Sequence, residues 1–185
     1  PPAIASLPQS VQYIPDFLTP ADESALLLHI LDVSNKKPWS DGNGRRTQNW
    51  GGSPNEREVA EPLPDWLVAL TKALVASGAW PATEDPPNHV IINDYAGCDF
   101  VSKDHSHTGL TPHTDGPLYA PRVATLSLFS DIVMELHRPE DAAVLCGEST
   151  RLARLLLRRR SLNVLSGNAY ELFHGFPAAE SDLID

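Results

Sequence analysis

Apolar positions along this chain repeat with two periods. Near the N-terminus they recur every three to four residues; further on they alternate. The first helical stretch has a strong start in Thr19-Pro20-Ala21-Asp22-Glu23. Thr19 suits the N-cap, Pro20 the first turn, and the acids the positive end of the helix dipole. Leu26, Leu27, Ile30 and Leu31 then make its predicted apolar face. A second predicted helix runs from about Pro64 to Ser77, with Trp66, Leu67, Leu70 and Leu74 inward and Gly78 as its stop. Between them, residues 34–56 are rich in Asn, Gly, Ser and Pro and read as a loop.

The alternating pattern predicts strands. Gln9 to Ile14 reads as extended, and His89 to Tyr95, Val123 to Phe129, Ile132 to Leu136, Ser161 to Leu165 and Ala169 to Phe173 read as strands. In the last of these, Tyr170, Leu172 and His174 are expected on one face. Helices followed by many short strands predict an α+β fold, a double-sheet jelly roll with the N-terminal helices packed on it.

With 185 residues, the chain suits one domain with a sizeable core. It contains no apolar run long enough to cross a bilayer and no basic and apolar leader at its start. Cys98 and Cys146 are isolated, which argues against a disulfide framework and a CxxC zinc site. Together these point to the cytoplasm or nucleus. The net charge of −10 weighs against a nucleic-acid partner, because phosphate binding favours a basic face. The cations are uneven, however: Arg45-Arg46 sit in the Gly-rich loop, and Arg151, Arg154 and Arg158-Arg159-Arg160 crowd one segment. These form either a local basic rim or solvated surface charge.

Candidate chemistry centres on His113-Thr114-Asp115 and the distant His174. Two histidines and a carboxylate are the ligand set of a mononuclear non-haem iron(II) site with open coordination positions. Ligands at i and i+2 on an extended segment face the same way, and the third then comes from another strand. His-x-Asp alone is a weak signal. Pro112 before it and Gly116-Pro117 after it equally fit a turn in which Asp115 caps backbone amides, and a lone buried histidine would look like His174. Asp104, His105 and His107 form a competing cluster, read as a polar loop.

Longer segments carry more information. They include Tyr13-Ile14-Pro15-Asp16-Phe17, Gly44-Arg45-Arg46-Thr47-Gln48-Asn49-Trp50-Gly51-Gly52, Leu63-Pro64-Asp65-Trp66-Leu67 and Asn88 to Tyr95. Further on come Pro112-His113-Thr114-Asp115-Gly116-Pro117-Leu118-Tyr119, Ser161 to Leu165 and His174-Gly175. Across nearly its whole length the chain resembles the AlkB-like iron(II)- and 2-oxoglutarate-dependent dioxygenases. The resemblance implies a double-stranded β-helix with iron held by His113, Asp115 and His174. It also implies that Asn93 and Tyr95 help bind 2-oxoglutarate, and that the Arg45 to Gly52 loop forms a lid over the substrate entrance. Dioxygen is then the second co-substrate, and an N-methyl group is hydroxylated and leaves as formaldehyde. The implied substrate is an alkylated base in single-stranded or flipped-out DNA or RNA, on which Trp50 or Tyr119 can stack. From the residues alone, those two aromatics are packing residues first.

Two departures bear on activity. The family carries an Arg-x5-Arg pattern after the second histidine, whose first arginine clamps the distal carboxylate of 2-oxoglutarate. Here Gly175 to Asp185 contains no Arg or Lys. Losing a bidentate charged pair weakens binding by about a hundredfold. The expectation is a fragment lacking its C-terminal strands, the alternative a catalytically impaired binding or regulatory module. Residues 96–112 read as an inserted surface loop, longer than the family's connection, which costs little thermodynamically. A methylated protein is the runner-up substrate, favoured by the acidic charge. A metal-binding jelly roll unrelated to oxygenation is a third reading.

Overall fold

The structure is a computed structural model describing residues 10–32, 34, 37–42, 44–52, 61–95, 109–139 and 151–177. The chain divides into two compact units, Pro1–Glu23 with Phe100–Asp185, and Ser24–Asp99. The inserted-loop residues 96–108, the Asp104/His105/His107 cluster, both cysteines and the C-terminal residues 178–185 lie outside the described residues. Among the described residues no helix is long and apolar enough to cross a membrane.

The first unit is built from two antiparallel sheets. One has the order β1-β9-β6, formed by Val11–Ile14, Leu162–Ser166 and Arg122–Leu126. The other has the order β5-β10-β7-β8, formed by Leu110–His113, Phe173–Phe176, Ile132–His137 and Arg151–Leu157. Leu136, Leu157, Leu162, Val164 and Leu165 are all buried. Asn163 on β9 reaches the Met134 sulfur on β7 at 3.9 Å, so the two sheets meet across this core. Helices with mostly antiparallel strands make this an α+β fold, as the alternation predicts.

Helix α1 (Pro20–Leu31) starts where the sequence places it. The Thr19 hydroxyl accepts from the Asp22 N–H at 3.1 Å, and the Asp22 carboxylate accepts from the Thr19 N–H at 3.1 Å. That reciprocal pair satisfies two otherwise unpaired donors. The buried stripe differs from expectation. Leu31 is exposed, and Glu23 joins Leu26 and Ile30 as the buried positions. Glu23 is tolerated because Arg159 Nε donates to both its oxygens at 2.9 Å and the Phe129 N–H donates at 2.8 Å. Burial opposes its charge, but the Arg159 and Phe129 hydrogen bonds and the charges of Arg159 and Arg160 together hold its carboxyl below the ordinary range.

The second unit holds a three-stranded antiparallel sheet, β2-β3-β4, formed by Ser40–Gly42, Arg45–Trp50 and Val90–Asp94. It also holds α2 (Asp65–Ala76), which buries Leu67, Thr71 and Leu74 while Trp66 and Leu70 stay half-buried. Gly78 takes φ +76° just past the helix, as a stop residue does.

Three expectations fail. Much of the 34–56 loop is a hairpin, because β3 is held by pairing on both edges and by cross-strand Arg46–Asp94 at 2.8 Å, with no apolar alternation to reveal it. Gly44, just before β3, takes φ +75°, a conformation that glycine adopts without steric cost. Second, of the predicted strand Ala169 to Phe173 only Phe173 is extended. Gly167–Ala169 form a 3-10 turn and the strand begins at Phe173, so Tyr170 and Leu172 are buried from a turn. Third, the arginine-rich segment begins as the strand β8, with Ala153 and Leu157 buried and Arg154 outward, and Arg158, Arg159 and Arg160 follow it. Its cations are exposed or half-buried, and most of them are paired with acids rather than forming a free basic rim. Arg151 and Arg154 pair with Glu135 at 3.1 and 3.2 Å, and Arg159 and Arg160 face Glu23.

Candidate metal centre

The β5–β10 ladder brings the two histidines together. His113 ends β5, His174 lies in β10, and the register sets them directly opposite, with ring centroids 4.7 Å apart. Gly175 makes the close pairing feasible. A Cβ there would stand 2.7 Å from the Leu110 carbonyl oxygen and 2.8 Å from the Pro112 nitrogen. Asp115 follows two residues after His113, and Gly116 turns the chain at φ +78°.

The Asp115 Oδ1 atom is 3.7 Å from His113 Nε2 and 3.7 Å from His174 Nε2. One ligand atom from each of the three residues lies within 4.8 Å of the others. They are too far apart to hydrogen-bond one another and near enough to share one ion. Asp115 Oδ2 is buried with no hydrogen-bond partner among the described residues, which in a folded interior calls for an explanation such as an ion. His113 Nδ1 lies 3.0 Å from the Thr111 carbonyl oxygen. A proton on Nδ1 donates there and leaves the Nε2 lone pair facing the other two ligands, the usual outer-shell arrangement of a metal-binding imidazole. Burial lowers the pKa of His174, with the Asp115 charge opposing and His113 reinforcing. That favours the neutral imidazole, the form that binds metal. The residues therefore fit a divalent metal.

Of the other predicted residues, Asn93 and Tyr95 belong to the second unit. Asn93 is exposed on β4 and accepts from Arg45 Nε at 2.8 Å. Tyr95 follows the end of β4. Burial pushes its hydroxyl up to about 12, against the pull of Arg45, so it is a neutral phenol at physiological pH. Trp50 is engaged in packing. Trp66 meets it edge-on at 5.5 Å, and the Lys37 ammonium lies 5.8 Å from its ring centroid. Tyr119 is half-buried, its hydroxyl pKa raised by burial and then by the Asp115 charge. Sequence reasoning missed the Thr111 carbonyl and the Tyr170 hydroxyl, which donates to the Gly116 carbonyl at 3.0 Å. A backbone acceptor leaves no sequence signature, and Tyr170 was expected on a strand.

No family model matches the chain. A curated relative from Danio rerio, "Probable RNA/DNA demethylase ALKBH6", is 36% identical over 187 residues, covering 98% of this chain and 75% of that protein. The chain belongs to the AlkB-like family. A solved structure titled "The structure of OsALKBH1" matches with a TM-score of 0.63 at 14% identity, over 92% of this chain and 86% of that one. At that identity the likeness speaks to the fold. The two sheets of the first unit are thus those of an AlkB-like double-stranded β-helix, and the His-Asp-His group lies on one of them and the turn that follows β5.

Proposed function

We propose that this AlkB-like protein is an iron(II)- and 2-oxoglutarate-dependent dioxygenase that oxidatively demethylates alkylated DNA or RNA. The observation that carries the reading is the convergence of His113, Asp115 and His174. When bound, iron supplies the redox chemistry by which dioxygen and 2-oxoglutarate hydroxylate an N-methyl carbon, which leaves as formaldehyde. His113 Nε2, the Asp115 carboxylate and His174 Nε2 hold the metal. The Thr111 carbonyl keeps the His113 proton on Nδ1. Asn93 and the neutral Tyr95 phenol contribute hydrogen bonds to 2-oxoglutarate. The name of the zebrafish relative supports a nucleic-acid substrate, and reaching the edge of a methylated base requires a single-stranded or flipped nucleotide. The isolated cysteines favour the cytoplasm or nucleus as its place of action.

One observation favours a second substrate class. The net charge is −10, and Arg151, Arg154 and Arg159 are paired with glutamates, which suits a methylated protein side chain better than a polyanion.

The test is anaerobic titration of the full chain with iron(II) and then 2-oxoglutarate, followed by formaldehyde assay on methylated oligonucleotide and methylated peptide. The expected result is a metal-to-ligand charge-transfer band, then formaldehyde from the oligonucleotide. Metal binding without the band identifies a module that holds iron but does not turn over, and refutes the dioxygenase reading. His113→Ala is expected to abolish iron binding; unchanged affinity would refute the ligand assignment.

A further inference from the structure

Asp115 is the triad member that no strand holds. The β5–β10 ladder fixes His113 opposite His174, whereas Asp115 lies beyond the end of β5. Its Oδ2 has no hydrogen-bond partner among the described residues. The next residue, Gly116, has nothing within 4 Å of where a Cβ would stand. Packing at that point leaves the turn room to shift. What meets it is Tyr170, whose hydroxyl donates to the Gly116 carbonyl at 3.0 Å.

Tyr170 is itself well anchored. It is 8% exposed. Its N–H donates to the Gly167 carbonyl at 3.0 Å, and the neighbouring Ala169 N–H donates to Ser10 Oγ at 3.1 Å. The phenol therefore projects from a fixed base onto the turn that carries Asp115. Burial, and after it the nearby Asp115 charge, raises the Tyr170 pKa, so the hydroxyl keeps its proton and stays a donor.

We infer that Tyr170 is a positioning residue for the Asp115 ligand, its hydroxyl clamping the Gly116 carbonyl so that the carboxylate meets the two imidazoles. This rests on the metal-site reading above. Metal ligands must be held within about 0.5 Å of their productive geometry, and losing an outer-shell partner typically costs about 10–100-fold in metal affinity. The hydroxyl's hydrogen bond runs to the Gly116 backbone carbonyl, so it acts on the ligand through the turn that carries Asp115.

The test is a double-mutant cycle on the full chain, read by cobalt(II) titration of d–d absorption. Tyr170→Phe keeps the ring and removes one oxygen. The variant is expected to bind cobalt about 10–100-fold more weakly than wild type. In an Asp115→Glu background, which keeps a carboxylate on a longer stem and so retains metal binding, the same change should cost nothing further, because the placement it enforces is already lost. Equal losses in both backgrounds would mark a merely structural role and overturn the inference. So would wild-type affinity in Tyr170→Phe, or a metal-free Tyr170→Phe that fails to fold, since the hydroxyl would then hold the unit and not the ligand. A wild-type chain that binds no cobalt refutes the metal-site reading itself and this inference with it.

Discussion

Replacing Gly175 by alanine tests how the histidines are brought together. The added Cβ would stand 2.7 Å from the Leu110 oxygen, 2.8 Å from the Pro112 nitrogen and 3.0 Å from the Pro112 Cα. All three are backbone atoms, so no side chain can rotate away. Restoring ordinary contact near 3.4 Å requires β5 and β10 to separate by about 0.7 Å. Overpacking of this kind costs about 1–3 kcal/mol, and in a chain of this size each kcal/mol lowers Tm by about 2–4 °C. The local consequence is larger than the global one. His113 follows Pro112 directly and stands opposite His174, and a displacement of about 0.7 Å exceeds the tolerance of a metal site, about 0.5 Å. Gly175→Ala should therefore melt several degrees lower and bind cobalt(II) at least about tenfold more weakly. Gly116→Ala is the contrast: its Cβ meets open space, and the cost is the φ +78° conformation, about 1–2 kcal/mol. Thermal melts and cobalt titrations of both variants check the reasoning. Gly175→Ala with wild-type Tm and affinity would show that the strands are not in close contact at this point.

Glu23→Gln should destabilise the chain by about 1–3 kcal/mol at neutral pH, since it removes the charge that Arg159 and the Phe129 N–H stabilise. The depressed carboxyl makes the stabilisation fully present above the unfolded value, about 4.3, and lost as pH falls through the folded one. Urea unfolding should thus show the gap between wild type and variant closing toward pH 3, and a gap as large there as at pH 7 would contradict the buried ion pair. For nucleic acid, affinity for a single-stranded methylated oligonucleotide should depend weakly on salt, with a log–log slope no steeper than about −2, or about three phosphate contacts. Anisotropy titrations between about 50 and 200 mM salt measure it, and a slope beyond about −4 would require a basic face that the paired arginines do not supply.

Elements with local signals were legible in the sequence. The Thr19/Asp22 cap, the Leu67 and Leu74 positions of α2 and the Gly78 stop all follow from neighbours within a few residues. Strand β7, with Met134 and Leu136 buried, follows from alternation. What failed was non-local. β3 is polar from Arg45 to Asn49 and is held by the two other strands that pair with it. β8 hides its period of two behind arginines whose partner, Glu135, lies on β7. Tyr170 and Leu172 mimic strand alternation but are buried from a turn. The same limit applies to the metal centre. Its residue types were legible locally, but its convergence was legible only through the family resemblance, because nothing near His113 in the chain announces that β10 will pair there.

The ionic pattern bears on what this site can serve. Three carboxylates gather five of the described arginines. Glu23 gathers Arg159 and Arg160, Glu135 gathers Arg151 and Arg154, and Asp94 takes Arg46, whose guanidinium also lies 4.5 Å from the Trp39 ring centroid. These cations hold strands and turns in register, and their fields are largely cancelled by acids a few ångströms away. Arg45 is arranged differently. It donates to Asn93, a neutral amide, so that contact fixes its orientation without cancelling its charge. A chain of net charge −10 built this way cannot draw a polyanion by its overall field. If it acts on nucleic acid, recognition has to come at short range, from stacking, hydrogen bonds to a flipped base and a few oriented cations. That economy suits an enzyme selecting one modified nucleotide better than one that coats a strand.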